Sequence, residues 1–192
     1  MDALDALDAV GERNVQLVRQ VGSGQWDDPT PCAEWNVRTL VGHVIAGRYA
    51  YRGFLRGTPA AELRSILARQ SEAAGADLVA ACENAVRTLR AAFTEPGALE
   101  RTVRHPTMGA MPGSQLLTQL TADIIVHSWD LATAIGADPG LDDQLAEFAY
   151  AFYEPLCVDG GVVYAMGYFA PPATPLPAGA TSLDRLIRLV GR

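Results

Sequence analysis

Apolar residues recur along the chain at helical spacing, in blocks separated by glycine- and proline-rich breaks. Leu4, Leu7, Val10, Leu17, Val18 and Val21 share one face at about 100° per residue, with Asp2, Asp5 and Asp8 mainly off it. Gly22-Ser23-Gly24 ends this first helix, and residues 25–35, with two Pro and two Trp, read as an ordered loop. Asn36 is a good N-cap for a second helix, in which Val37, Leu40, Val41, Val44 and Ile45 follow i, i+3, i+4, i+7, i+8 spacing. His43 falls beside that stripe, on the side of Gly47 and Phe54. After the break at Gly57-Thr58-Pro59, a polar, Ala-rich segment predicts a short exposed helix or a mobile connection. From Ala76 the helical pattern returns through Leu78, Cys82, Ala85, Val86, Leu89 and Phe93, and Glu95-Pro96-Gly97 stops it.

Leu99 to Met108 shows some alternation, which predicts an extended excursion or a short hairpin. Gln115 to Ile135 then reads as one long helix, with Leu116, Leu120, Ile124, Leu131 and Ile135 on one side, ended by residues 136–140. Leu145, Phe148, Ala149, Phe152 and Leu156 form a further stripe. Beyond residue 159 the chain becomes Pro-rich and extended, and ends in a short amphipathic helix over 183–189 that can cap the bundle. The pattern predicts a single all-α domain over residues 1–192: a helical bundle over 1–158 with one crossover connection, and a tail over 159–192 packed on it. No internal repeat is visible.

Composition narrows the classes. The chain has 192 residues, enough for one well-buried domain and short for two. Nearly half are hydrophobic, but none of the apolar runs is long enough to span a membrane. The acidic, amphipathic start is unlike a secretory signal, so a soluble, cytoplasmic protein is expected. The formal charge of −7 and the lack of a basic run argue against nucleic-acid binding. All 15 basic residues are Arg, which excludes Schiff-base lysine chemistry. Cys32, Cys82 and Cys157 form no CxxC pair and no disulfide framework. Cys82 and Cys157 read as core residues, and Cys32 as a small buried residue in a turn, since a reactive thiol needs an electropositive neighbourhood.

Candidate chemistry concentrates in residues 123–130. Asp123 and His127 are four apart on the long helix, so they stack one turn above the other at the rim of its apolar face. A carboxylate and an imidazole so held supply two-thirds of a metal site, and His43 brings a second imidazole from another helix rim. The bland alternative also stands: rim histidines are often simply hydrogen-bonded. Asp130 lies at nearly the same angle one turn on, where it either orients a ligand or bonds a backbone N–H of a neighbouring helix. His105, before Pro106, reads as an exposed loop histidine in preference to a fourth ligand. Trp35 and Trp129 read as packing residues. Ser128 has no triad to join, and no Gly-rich phosphate loop occurs.

The stretch from Thr30-Pro31-Cys32 through Trp35, Val37 and Leu40 to His43 resembles the opening motif of the DinB-like, mycothiol-dependent maleylpyruvate isomerase type of metal-binding protein. Asp123-x-x-x-His127-x-Trp129-Asp130-Leu131-Ala132-x-Ala134-x-Gly136 resembles its second motif. Phe169-x-Pro171-Pro172, Leu183-Asp184-Arg185-Leu186 and the terminal Val190-Gly191-Arg192 resemble the end of one subgroup. The resemblance implies a DinB-like four-helix bundle holding a divalent metal, often zinc or nickel, on His43, Asp123 and His127. The family pattern has Glu where this chain has Asp123, one methylene shorter, so the carboxylate approaches differently or acts through water. It further implies a low-molecular-weight thiol, such as mycothiol, as nucleophile toward a small-molecule electrophile.

Three readings follow: a metal- and thiol-dependent S-transferase or isomerase, a metal-dependent hydrolase using activated water, and a non-catalytic helical binding or stress-response module. Arg48 or Arg52 could receive an acidic substrate, but a solvated helix face is the favoured reading for both. A homodimer is compatible with the sequence, which does not decide whether the tail covers the pocket or a partner subunit.

Overall fold

A computed structural model of the chain describes residues 1–65, 68, 77–106, 108–157, 161–173, 175–176 and 178–192. It contains α1 (Ala3–Gln20), α2 (Val37–Arg56), α3 (Leu78–Phe93), β1 (Thr102–His105), β2 (Gly109–Pro112), α4 (Gly113–Ile135), α5 (Asp143–Cys157), α6 (Val162–Ala165) and α7 (Ser182–Leu189). The chain is thus mostly helical, with one small two-stranded sheet.

Local chemistry sets the helix ends. Asp2 caps α1 by accepting from the N–H groups of Leu4 and Asp5, and Asn36 caps α2 by accepting from Thr39. Gly57 and Gly136 close α2 and α4 in left-handed conformation, at φ 67° and 69°. Thr181 and Asp184 form a capping box at the start of α7. Leu99 to Met108 does enter a hairpin, with Thr102 opposite Pro112 and His105 opposite Gly109. Of the segment after Pro59, residues 60–65 are helical and mostly exposed, with Leu63 buried; the rest, to residue 76, lies almost wholly outside the described residues.

Helices α1 and α2 each pack against both α3 and α4, so these four make the bundle and α1 and α2 lie across it from one another. The fifth stripe, α5, lies outside that ring: it packs against α4 and, in turn, against α7. This corrects the expectation that α4 buries one side. It is enclosed by α1, α2 and α5, so Leu117, Ile125, Val126 and Ala132 are buried as fully as Leu116, Leu120, Ile124 and Leu131. A helix apolar nearly all round is a central helix. Any polar side chain on α4 must therefore find a partner or a gap between neighbours. Among the described residues, no helix is long and apolar enough to cross a membrane.

The start of α4 is set by a close approach. A Cβ added at Gly113 would lie 2.0 Å from the Ala98 carbonyl oxygen, whereas one at Gly42, inside α2, would meet nothing within 4 Å. Gly113→Ala is expected to cost about 1–3 kcal/mol through forced backbone movement. Gly42→Ala is expected to gain up to about 1 kcal/mol from helix propensity. Paired thermal melts check this; equal shifts for both would contradict it.

Candidate metal centre

α4 presents Asp123 and His127 one turn apart, with His127 Nε2 3.6 Å from Asp123 Oδ1. His43, on the first half of α2, faces them: the two imidazole centroids are 5.1 Å apart at 78°. Taking one donor atom from each, His43, Asp123 and His127 place all three within 4.8 Å of one another. Exposure rises across the group, from buried His127 through Asp123, whose side chain is 34% exposed, to exposed His43. The three donors are therefore open to solvent on the His43 side. Trp35 packs beside the imidazoles, with its ring 4.6 Å from His43 and 5.9 Å from His127. Packing is indeed what Trp35 does, but against two candidate ligands.

Behind His127 lies a second polar shell. Its Nδ1 is 3.0 Å from Oδ2 of Asp130, which is fully buried. Asp130 thus bonds the imidazole of His127. The carboxylate also accepts from Arg192, Nε to Oδ1 at 2.8 Å and Nη2 to Oδ2 at 3.3 Å, and from the Cys32 thiol at 3.1 Å. Cys32 is buried in a turn, as expected, where its N–H donates to Thr30 Oγ1 at 3.1 Å and its carbonyl accepts from Trp35 at 3.1 Å. Next to it, Glu34 adopts a left-handed conformation at φ 66°. The electropositive neighbour that the sequence does not reveal is Arg192, whose Nη2 is 3.3 Å from Sγ.

Cys32, His127 and Asp130 also place one donor atom each within 4.8 Å of one another. The Arg192 guanidinium already fills that side and balances Asp130. A cation there would meet a fixed positive charge, so the outer group is the one whose donors fit a metal ion. Its donor set, two imidazoles and a carboxylate, suits a borderline ion and leaves coordination positions open. With Nδ1 bonded to Asp130, His127 turns Nε2 toward Asp123, the arrangement in which a metal-binding imidazole is commonly held.

Electrostatics differ between the two imidazoles. Although His43 as a residue is exposed, desolvation of its ring among its neighbours lowers its pKa, and Asp123 offsets this only in part. Burial also opposes charge on His127, but Asp123 and the hydrogen bonds to Asp130 and Cys32 prevail and push it up to about 10. Burial disfavours ionised Asp130, yet its bonds to His127 and Arg192 hold its pKa below the ordinary value. These neighbours favour the charged form of His127 in the metal-free chain, and an ion bound at its Nε2 would take the place of a proton.

Two expectations are corrected. Arg48 does not lie on a solvated face: it is 1% exposed, donates from Nη2 to Asn14 Oδ1 at 2.9 Å, and has Nη1 3.5 Å from Cys82 Sγ. Asn14 in turn donates to Ser128 Oγ at 3.2 Å, so the polar residues of α1, α2, α3 and α4 meet inside the bundle. Arg52 is half-buried. His105 is not an exposed loop residue: it ends β1, is buried, accepts from the Met108 N–H at 3.3 Å, and packs against Tyr51 and Phe54. Among the described residues it joins no cluster of metal-ligand atoms. A surface cavity of about 780 Å³ between α4, α5 and the hairpin includes none of His43, Asp123 and His127 in its lining.

The sequence profile described as mycothiol maleylpyruvate isomerase N-terminal domain matches residues 7–132. Uncharacterized proteins from two strains of Mycobacterium tuberculosis are 33% identical over 146 residues, covering 76% of this chain and 74% of theirs. Among solved structures, the mycothiol-dependent maleylpyruvate isomerase superposes with a TM-score of 0.65 at 15% identity, over 83% of this chain and 71% of that one. A histidine-to-alanine mutant of the same isomerase gives a TM-score of 0.61 at 15% identity, over 76% of this chain and 65% of that one. This chain thus spans about two-thirds of the isomerase's length, and at that identity the likeness carries the fold alone.

A raised His127 pKa has a signed consequence. Its stabilising contribution is complete below the unfolded value of 6.5 and is lost as pH rises through about 10. Metal-free protein is expected to lose stability across that window. Asp130→Asn is expected to lower the His127 pKa, followed by imidazole NMR titration. A His127 that titrates near 6.5 in the parent would contradict the assignment.

Proposed function

The chain belongs to the mycothiol maleylpyruvate isomerase N-terminal domain family, and from that premise we propose that it is a metal- and thiol-dependent S-transferase or isomerase. His43, Asp123 and His127 hold one divalent ion, zinc or nickel, and a low-molecular-weight thiol such as mycothiol is the nucleophile toward a small electrophile. The single observation supporting this most strongly is the solvent-facing group of three donor atoms within 4.8 Å, backed on its buried side by Asp130.

The residues divide the work. Asp130 fixes the His127 ring, and Asp123 supplies the negative charge that offsets a dication. His43, at the exposed rim, completes the donor set while leaving the outer side open. Asp123 is shorter than the Glu of the family pattern, but its Oδ1 still lies 3.6 Å from His127 Nε2, which supports a direct role. A divalent ion bound here favours the ionised form of a thiol at neutral pH. Trp35 packs its ring beside both imidazoles. In an isomerisation the thiol would add to the substrate double bond and be expelled again after rotation; in a transfer the sulfur would stay on the carbon, with the thiol proton ending on the adjacent carbon of the opened double bond.

Elemental analysis of untagged protein dialysed against zinc or nickel tests the proposal. About one ion per chain is expected in the parent, with a large loss in both His43→Ala and Asp123→Ala. The loaded protein is then expected to turn over an electrophile only with added thiol. A parent that stays empty, or turnover with water alone, would contradict the reading.

A further inference from the structure

We propose that Arg192 is a positioning residue for the candidate metal site, acting through Asp130 on His127; this rests on the function proposed above. The chain from residue 192 to the ligand is continuous. Arg192 Nε and Nη2 bond the two oxygens of Asp130 at 2.8 and 3.3 Å, and Asp130 Oδ2 is 3.0 Å from His127 Nδ1. The Arg192 side chain is 11% exposed and that of Asp130 is fully buried, so little solvent competes. A two-pronged guanidinium fixes both the position and the plane of a carboxylate. The Asp130 plane then sets the rotation of the His127 ring, and with it the direction of Nε2 toward Asp123 and His43.

The tail is built to deliver this side chain. Val190 is fully buried, and after it Gly191 turns left-handed at φ 69°. The Arg192 N–H then bonds the Ile187 carbonyl at 3.0 Å, and the Gly191 N–H bonds that of Arg188 at 3.0 Å. A Cβ at Gly191 would come 2.1 Å from the Ala170 carbonyl oxygen, so that turn is pressed against the preceding tail segment. Phe169 of that segment lies under the guanidinium, 5.7 Å from its carbon, and edge-on to Tyr153 of α5 at 5.2 Å. The guanidinium also touches Cys32 at 3.3 Å, tying the Thr30–Trp35 turn to the same point. The tail thus couples its own docking to the orientation of a ligand 65 positions earlier in the chain.

The test is zinc affinity by chelator competition, together with the visible spectrum of cobalt-loaded protein and the melting temperature of metal-free protein. Arg192→Ala is expected to weaken zinc binding at least about tenfold, as loss of a partner behind a ligand does, and to change the cobalt spectrum. Arg192→Lys keeps the charge without the two-pronged grip, so it is expected to restore part of the affinity and serves if the alanine variant does not fold. Tyr164→Phe removes a different tail contact, the Tyr164 hydroxyl donating to the Leu189 carbonyl at 2.6 Å. It is expected to lower the melting temperature and leave affinity and spectrum unchanged. In an Asp130→Asn background, Arg192→Ala is expected to add little to the loss of affinity. A parent that binds zinc while Arg192→Ala binds it within twofold, with an unchanged cobalt spectrum, overturns this inference alone. A parent that binds no zinc overturns it together with the proposed function.

Discussion

The hydrogen bond between His127 and Asp130 is the constraint from which the rest of the site follows. It assigns the two nitrogens of one ring to two different environments. Nδ1 faces a closed, charged interior made of Asp130, Arg192 and Cys32. Nε2 faces Asp123 and the solvent-open side where His43 waits. Asp130 has no exposure at all, and a buried carboxylate persists only with partners that satisfy it. Arg192 and His127 are those partners. The ring orientation is therefore tied to the neutralisation of a buried charge, a stronger constraint than packing alone.

That arrangement depends on where α4 runs. Because α1, α2 and α5 surround it, the polar residues of α4 have few directions available. Ser128 turns inward, to the Asn14–Arg48–Cys82 network; Asp130 turns toward the tail; Asp123 and His127 turn to the gap beside α2. The bundle thus holds two separate polar groups, one buried inside the ring of helices and one at its edge. Of the two, the edge group is the one that reaches solvent and offers an anionic donor. In the function proposed above, it is the group that takes up the ion.

Much of the fold is legible in the sequence because it is written locally. The stripes of α1, α2 and α3, the Asn36 cap and the Gly136 stop depend on residues within a turn or two of each other. So does the stacking of Asp123 on His127. Even Arg48 carries a signal that can be missed: it continues the spacing of Val41, Val44 and Ile45, and only its charge argues for the surface. Its partners, Asn14 and Cys82, lie on other helices and cannot be read from spacing. The same holds for His105, which is buried by Tyr51 and Phe54 from α2. Arg192 is the extreme case. It meets Asp130 across 62 residues, through a tail whose path no periodicity describes. Polar contacts between distant segments are where local patterns stop being informative, and here they include the groups bonded behind His127.

The most direct test of this account is an anomalous difference map from crystals of the zinc-loaded protein, collected on either side of the zinc edge. The account predicts one peak among His43, Asp123 and His127, bonded to His127 through Nε2, with Asp130 and Arg192 still paired behind the ring. A peak on the Cys32 side of His127, or none within reach of the three donors, would contradict it.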